Sequence, residues 1–573
     1  MGLHVHNKQT RPALFGMLLL AAALGSGLAC AKRVKDLQRA PAASGGLSIV
    51  QQQLNDRPVS TAPVQLTANV AVLRLRFSDK VDRSTVGAAL SWKATATSSD
   101  VPVGVGYADG DSTLILTPGT PLAYLSGYSV RLSNRLRAAG SGMPASAFTL
   151  SIRTGIDPAD KFPVIPDEAL LDSVQKRTFR YFWDYGHPLS GLARDKTQTT
   201  DLDDCSVGGT GFGILCLPVA VHRGLITREA ALARLRKIVD FLTVKAQRYH
   251  GAFPHRINGT TGATIVWHPK DDGADLVETS FLMMGLLTAR QFFDGAGDAE
   301  GALRSGINTL FREVNWQRFR KDDEQALYWL WSPNHGWDIS FRVRGWNETL
   351  ITYILAAASP THGIGKEAYD HGFADRGALR NGQQFYGMTL PLGPAFGGPL
   401  FLSQYSFLAL NPIGLKDTYA DYEVQARNHA LINRAYCIEN PKSYLGYSDS
   451  GWGLTASSTH AGYTPCSPTS DVGVIAPTAA LASFGVTPHE SLAALRYFYY
   501  RLGDRLWKDY GFVDAFNLNT DPVWIAPQEL VYNQLPVMIA IENHRSGLVW
   551  RLFTSCPEVK AALRRLGFTA PYL

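Results

Sequence analysis

The sequence predicts a mainly α-helical protein, a closed barrel of helical hairpins over residues 165–573, preceded by a small β-sandwich over residues 61–156. Three observations carry this. The chain has 573 residues, too many for one hydrophobic core, so at least two domains are expected. The apolar period changes from two to helical spacing after Pro163 and Pro166. Helical stretches then recur between long Gly- and aromatic-rich segments without a fixed repeat, which disfavours an open solenoid and favours a closed ring of helices.

The chain opens on an address. His4, His6, Lys8 and Arg11 precede the apolar run Pro12 to Ala29, and small residues follow. Residues 1–31 therefore read as an export signal. Leu28-Ala29-Cys30 resembles a lipobox that would make Cys30 a lipidated N-terminus, while Ala29-Cys30-Ala31 also fits a signal peptidase site. The run is barely long enough for an uncleaved anchor. A periplasmic or outer-membrane protein is expected, touching membrane only through lipid at Cys30, or else soluble after export. Residues 32–60, with Ala-Pro-Ala-Ala-Ser-Gly-Gly, read as a tether.

In the predicted sandwich, Leu73-Arg74-Leu75-Arg76-Phe77 alternates and Ser78-Asp79-Lys80 turns the chain. Leu114-Ile115-Leu116 before Thr117-Pro118-Gly119, and Tyr128-Ser129-Val130-Arg131-Leu132, are further strands at regular spacing. The Phe77-Ser78-Asp79-Lys80-Val81-Asp82 run resembles bacterial Ig-like modules, which implies a spacer or platform. Farther on, Leu170, Leu171, Val174, Phe179 and Phe182 share helical spacing. Similar stretches are predicted at 212–223, 228–246, 275–293, 300–313, 347–358, 420–436 and 489–506.

Composition narrows the chemistry. Charged residues make up 18% of the chain and the net charge is +6, with both signs dispersed. Nucleic acid, which needs a concentrated basic face, is not an expected partner. No C-x-x-C or H-E-x-x-H occurs, so neither metal nor cofactor is expected. No G-x-S-x-G elbow marks a serine hydrolase. Beyond Cys30 there are Cys205, Cys216, Cys437, Cys466 and Cys556. Cys205 with Cys216 and Cys437 with Cys466 could pair in an oxidising compartment, or all could be buried thiols.

Four patches place carboxylates beside glycine and aromatic residues. Asp195, Asp201, Asp203 and Asp204 precede Gly208-Gly209-Thr210-Gly211-Phe212-Gly213, whose glycines read as close backbone packing at a helix entrance. Asp275 reads as a helix N-cap with Glu278 at N3, where a carboxyl can either complete the cap or enter a cleft as a general acid. Trp329, Trp331, Trp337 and Trp346 surround Asn334-His335-Gly336 ahead of Glu348, a pattern suited to stacking on sugar rings. The last patch joins Trp452, Asp471, Asp514, Asn517, Glu542 and Asn543. Acid, amide and aromatic linings suit an uncharged ligand rich in hydroxyls, and carbohydrate fits best. Hydrolysis of a glycosidic bond needs two carboxyl groups flanking it. His222, His255 and His268 read as structural or substrate-contacting.

Asp275-Leu276-Val277-Glu278-Thr279-Ser280-Phe281, Asn347-Glu348-Thr349-Leu350-Ile351-Thr352-Tyr353, Ser359-Pro360-Thr361-His362, Trp452-Gly453-Leu454-Thr455-Ala456-Ser457, Gly511 to Phe516 and Ile541-Glu542-Asn543-His544-Arg545-Ser546-Gly547-Leu548 follow one another in order. Over about 165–555 the chain resembles the bacterial glucoamylase-like proteins of glycoside hydrolase family 144. The resemblance implies an (α/α)6 barrel and inverting hydrolysis of β-1,2-glucan to sophoro-oligosaccharides by a monomer without cofactor, endo- or exo-acting. It implies Glu278 as a catalytic carboxyl, with Asp195 and Asp203 favoured for the upstream aspartates and Asp201 and Asp204 as rivals, the spacing there departing from the family pattern. Trp337, Glu348, Trp452, Asp471 and Asn543 are expected at substrate subsites. Two other readings stand beside this one: a glycan-binding lipoprotein that has lost activity, and an α-glucosidase of glucoamylase type.

Overall fold

The structure, a computed structural model, describes residues 46–59 and 63–573. The expected export segment, Cys30 and most of the tether lie outside the described residues. The chain divides into two units, the first reaching to Ala159 and including Leu518–Trp524, the second holding the rest.

The first unit holds two sheets around one core. In chain order the strands are β1 Ile49–Leu54, β2 Arg57–Pro58, β3 Val64–Leu66, β4 Leu73–Phe77, β5 Leu90–Ala94, β6 Val103–Ala108, β7 Thr113–Pro118, β8 Gly127–Leu132 and β9 Phe148–Thr154, with the short helix α1 Arg83–Ala89 before β5. One sheet runs β2-β1-β4-β7-β6 and the other β3-β9-β8-β5. All pairs are antiparallel except β3 with β9, where Val64 faces Ile152. The alternation in β4 decides its faces: Leu73, Leu75 and Phe77 are buried while Arg74 and Arg76 turn outward. They pack with Leu114, Leu116, Trp92, Val130 and Leu150. Arg153, buried at the end of β9, donates to the carbonyls of Leu518, Asn519 and Thr520, which ties that later segment into this unit.

The second unit is mainly helical. Its helices are α2 Asp167–Trp183, α3 Val207–His222, α4 Arg228–Val244, α5 Leu276–Phe292, α6 Asp298–Glu313, α7 Leu350–Ala358, α8 Lys366–Ala368, α9 Tyr422–Glu439, α10 Pro477–Leu481, α11 Pro488–Arg496, α12 Leu502–Leu506, α13 Val531–Arg545, α14 Leu548–Thr554 and α15 Pro557–Leu566. Two kinds are distinguished by what they bury. α6 buries only Leu303, Ile307, Leu310 and Phe311, the single stripe of an amphipathic helix, and α15 only Val559, Ala562, Leu563 and Leu566. By contrast α3, α5, α7 and much of α13 are buried on every face. These interior helices are covered by others: α4 packs on α3, α6 and α14 on α5, and α15 on α7. Among the described residues no helix is long and apolar enough to cross a membrane.

The glycines of 208–213 serve the packing expected of them. A Cβ on Gly211 would stand 2.2 Å from the Phe281 carbonyl oxygen, and one on Gly285 would stand 2.3 Å from that of Gly211. α3 and α5 therefore meet backbone to backbone. Gly213 leaves room for the Phe182 ring in the same way, at 2.3 Å. The five cysteines from Cys205 onward are buried free thiols, so neither disulfide weighed from the sequence forms. Burial pushes the Cys205 and Cys216 thiols far up, which makes them inert small hydrophobes.

Gly211→Ala is expected to lose about 3 kcal/mol or more of stability, because the backbone of α5 has no room to yield. Gly301→Ala, at an open position in α6 whose nearest neighbour is 4.0 Å away, should gain about 0.5–1 kcal/mol. Thermal or urea unfolding of the two variants checks the pair. Equal behaviour would contradict the close approach of α3 and α5.

Candidate active site

The interior helices bring their N-terminal ends to one place. Ser206 caps α3 through a 2.9 Å bond from Gly209 N to its Oγ, and Asp275 caps α5 by accepting from Val277 N and Glu278 N, each at 2.9 Å. With Asp275 as cap, Glu278 occupies the third position of α5, as its spacing predicts. It does not turn back to complete a capping box, since the Asp275 amide donates instead to the Phe253 carbonyl at 2.8 Å. Glu278 reaches across to the first turn of α3, where its Oε2 accepts from Gly208 N at 2.8 Å and from the hydroxyl of Tyr532 on the first turn of α13. A Cβ on Gly208 would fall 2.6 Å from that oxygen, so only glycine admits the carboxyl. Glu348 enters just ahead of α7, and its charge field is shared with Glu278 and Asp275.

Aromatic rings form the floor. Phe212 of α3 lies 5.3 Å from Phe281, 5.2 Å from Tyr405 and 5.8 Å from Tyr532, mostly edge to face. Three short strands, β10 Asp204–Ser206, β11 Arg256–Asn258 and β12 Thr264–Ile265, form a small sheet beside this floor. It places Arg256 between Asp204 Oδ2 at 2.7 Å and Asp195 Oδ2 at 2.8 Å. Arg256 also lies over Trp267, which packs against His255 at 3.8 Å. His255 Nδ1 is 2.9 Å from Asp275 Oδ2, which also accepts from Trp329 Nε1 at 3.2 Å.

This arrangement crowds carboxyls into a region nearly closed to bulk water. Burial pushes Glu278 up to about 7, although His255 and its two donors pull the other way. Glu348 also rises to about 7, from burial first and then from the charges of Glu278 and Asp275. Burial lifts Asp271 to about 6, with the Asp275 charge adding to it. Asp514, bonded by Asn533 and Ser458, reaches about 6 through burial. His255 is raised from its ordinary value: burial alone would lower it, and Glu278 with Asp275 outweigh that. The site thus holds carboxyls that keep protons near neutrality beside others that release them, the pairing that acid–base chemistry requires. His255, Asp275 and Glu278 also bring one ligand atom each within 4.8 Å. Within the trio, His255 Nδ1 and Asp275 Oδ2 pair with each other, while Glu278 Oε2 accepts from backbone and tyrosine donors.

The expected residues divide. Glu278 and Glu348 lie together at the helix ends. Asp195 and Asp204 adjoin them through Arg256. Asp203 does not join them: just ahead of β10, its Oδ1 accepts from Thr260 at 3.0 Å and meets His187 Nε2 at 2.8 Å. Asp201 closes the preceding turn by accepting from Asp203 N at 3.0 Å. Trp452 is wholly buried, a core residue. Trp337 packs half-buried between Phe319, Tyr328 and Arg318. Asp471 is taken up by Tyr447 at 2.6 Å, Tyr436 at 3.0 Å and Gly473 N at 2.9 Å. Asn543 sits eleven residues along α13 from Tyr532, roughly 16 Å at 1.5 Å per residue, and holds the Leu408 carbonyl and the Trp550 amide. It is therefore not beside the cluster.

Sequence reasoning has Asp271 in the same acidic patch as Asp275 and Glu278 but gives it no role, and it passes over Trp267, Arg256, Tyr532 and Tyr463. Asp271 lies four residues ahead of Asp275 in the chain, and that cluster of acids before a buried helix was a readable signal. Tyr463 had none. It stands on the hairpin formed by Ala456–Thr459 and Gly462–Pro465 and is 64% exposed, yet its hydroxyl is pushed up first by the burial around it and then by the charges of Asp514, Asp195 and Glu348. An exposed ring surrounded by carboxyls is a ring standing in a cleft.

The raised value of Glu278 carries a stability consequence. The folded state holds the proton between about 4.5 and about 7 while the unfolded state does not, so stability falls as pH rises through that window. Glu278→Gln is expected to unfold at higher temperature than the wild type at pH 8, by roughly 1–3 kcal/mol, and at nearly the same temperature at pH 4.5. Calorimetry at the two pH values checks this. A gain independent of pH would contradict the burial argument.

Comparison with known proteins places this geometry. A family model described as "Putative glucoamylase" matches residues 340–557, and one described as "Bacterial Ig-like domain" matches 57–154. The exo β-1,2-glucooligosaccharide sophorohydrolase (non-reducing end) of Parabacteroides distasonis is 44% identical over 70% of this chain, which spans 58% of that relative's length. The crystal structure of an endo-β-1,2-glucanase from Chitinophaga pinensis, in complex with sophorotriose and glucose, is 46% identical with a TM-score of 0.70, covering 72% of this chain and all of its own. The β-1,2-glucanase structure from Parabacteroides distasonis is 36% identical with a TM-score of 0.68, covering 90% of this chain and 74% of its own. With 46% identity sustained over the whole of a solved relative, the chain belongs to the bacterial glucoamylase-like family, glycoside hydrolase family 144.

Proposed function

We propose that the protein is an exported inverting glycoside hydrolase that cuts β-1,2-glucan to sophoro-oligosaccharides, and that its helical unit is an (α/α)6 barrel. The observation that carries the reading is the convergence of Glu278 and Glu348 at the N-terminal ends of the interior helices, both held near 7, with Asp271 near 6 beside Asp275 and His255 ahead of α5. The β-1,2-glucan named for the relatives supplies the substrate class. Interior helices α3, α5, α7 and α13, each covered by amphipathic partners, support the barrel. The apolar run before Cys30 supports export.

Glu278, protonated, donates to the glycosidic oxygen as the bond to the anomeric carbon breaks. Asp271, ionised at neutral pH and set beside Asp275 and His255, takes a proton from the attacking water. Glu348 is the second protonated carboxyl and hydrogen-bonds sugar hydroxyls. Asp195, with Asp204, fixes Arg256 beside the reacting carboxyls, while Asp203 anchors its loop through His187. Tyr463, exposed in the cleft, offers a ring face to a sugar.

Incubation with linear β-1,2-glucan should release short oligosaccharides that appear first as the α-anomer, and starch should be left intact. The kcat/KM profile should be bell-shaped. It falls below about pH 6 as Asp271 takes up a proton, and above about pH 7 as Glu278 loses one. Glu278→Gln should lose about 1000-fold or more in kcat on glucan. Starch hydrolysis, or binding of glucan without turnover, would contradict the reading.

Tyr463→Ala should weaken glucan binding about tenfold with kcat little changed, as loss of one stacking face does. Kinetics with oligosaccharides of increasing length check it, and an unchanged KM would place the ring outside the subsites.

A further inference from the structure

The two donors to Glu278 fall on the same oxygen. Gly208 N, at the positive end of α3, and Tyr532 Oη both point at Oε2. Tyr532 is itself held, because Ser206 Oγ lies 2.6 Å from its hydroxyl. Ser206 in turn accepts from Gly209 N at 2.9 Å, so the N-cap of α3 and the orientation of Tyr532 are one device. A hydroxyl that accepts from Ser206 has its own proton directed to Glu278. The Tyr532 ring is pinned as well, 5.8 Å from Phe212 and 6.1 Å from Tyr405.

We infer that Tyr532, aimed by Ser206, is a positioning residue for the proton donor: by occupying Oε2 it confines the transferable proton to Oε1. This rests on the reading of Glu278 as the acid. In a neutral carboxyl, the oxygen that accepts hydrogen bonds is the carbonyl oxygen, and the proton resides on the other. As Oε1–H gives its proton to the glycosidic oxygen, the bond from that oxygen to the anomeric carbon breaks and its electron pair stays with the leaving alcohol. Water supplies the new bond to carbon and passes its proton to the base. The O–H bonding pair remains on Glu278 as carboxylate charge, and part of that charge appears on Oε2. The bonds from Tyr532 and Gly208 therefore strengthen as the transition state forms, in a site without bulk water. Uniform binding would do nothing for kcat; this difference does.

The other groups that face Glu278 are His255 and Arg256 from the small sheet, Asp275 at its own N-cap, Glu348 ahead of α7 and Tyr405 in the floor. Tyr532→Phe leaves all of them in place. The variant keeps the ring and removes only the donor, so the acid loses a bond that favours its ionised form.

The test uses the full chain with two substrates, linear β-1,2-glucan and a 4-nitrophenyl glycoside of a β-1,2-gluco-oligosaccharide, whose leaving group needs no proton. Tyr532→Phe should lower kcat on glucan about 10- to 100-fold with KM nearly unchanged, and the alkaline limb of the profile should move to higher pH. On the aryl substrate the defect should shrink to within about threefold. 3,5-Difluorotyrosine placed at 532, a stronger donor of nearly the same shape, should move the alkaline limb to lower pH, which keeps the proposal falsifiable if the phenylalanine variant fails to fold. Equal losses on both substrates with an unmoved limb, or unchanged kinetics, would overturn the inference. Glu278→Gln separates the two levels. If it is inactive on glucan while Tyr532→Phe behaves as wild type, the acid stands and the positioning role falls. If it is active on glucan, the reading of Glu278 itself falls.

Discussion

The site depends on a shortage of positive charge. Asp195, Asp204, Asp271, Asp275, Glu278, Glu348 and Asp514 crowd a small region that holds Arg256 and His255, with Lys196 beside Asp204. Water would relieve the crowding, but the interior helices and the aromatic floor exclude it. Protons have to make up the difference, and they settle where burial is deepest. Asp195 and Asp204 are paired with Arg256, and Asp275 has backbone, imidazole and indole donors. Glu278 and Glu348 are left to hold protons near neutrality.

The fold is built to sustain that crowding. α3 and α5 touch backbone to backbone because Gly211 and Gly285 carry no side chains, and the same glycine run leaves the space at Gly208 that Glu278 fills. Packing and chemistry are therefore one constraint: a methyl group at 211 separates the helices, and a methyl group at 208 displaces the acid. The N-terminal ends of the helices supply N–H groups to the site, and these do little for a neutral carboxyl and more for the carboxylate it becomes.

Much of this was legible in residue order. Alternation in β4, the glycine run before α3, the cap at Asp275 and the placement of Glu278 three residues later are local signals, and local signals survive without coordinates. Asp203 lies apart from the acids because β10 begins at Asp204 and pairs with β11, which puts Asp204 on Arg256, while Asp203 just ahead of it meets His187. Trp452 and Asn543 sit in family motifs, but burial and distance along α13 set them apart from the acids. Tyr532 and Tyr463 belong to segments more than 180 residues beyond Glu278 in the chain. Only the tertiary fold brings them to it, and nothing in their neighbours announces it.

Burial keeps Glu278 protonated until close to neutral pH. Infrared difference spectra of wild type against Glu278→Gln, recorded through a pH titration, observe that proton directly. A neutral-carboxyl band unique to the wild type should disappear with a midpoint near 7. A band already gone by pH 5 would contradict it, and with it the assignment of Glu278 as the acid.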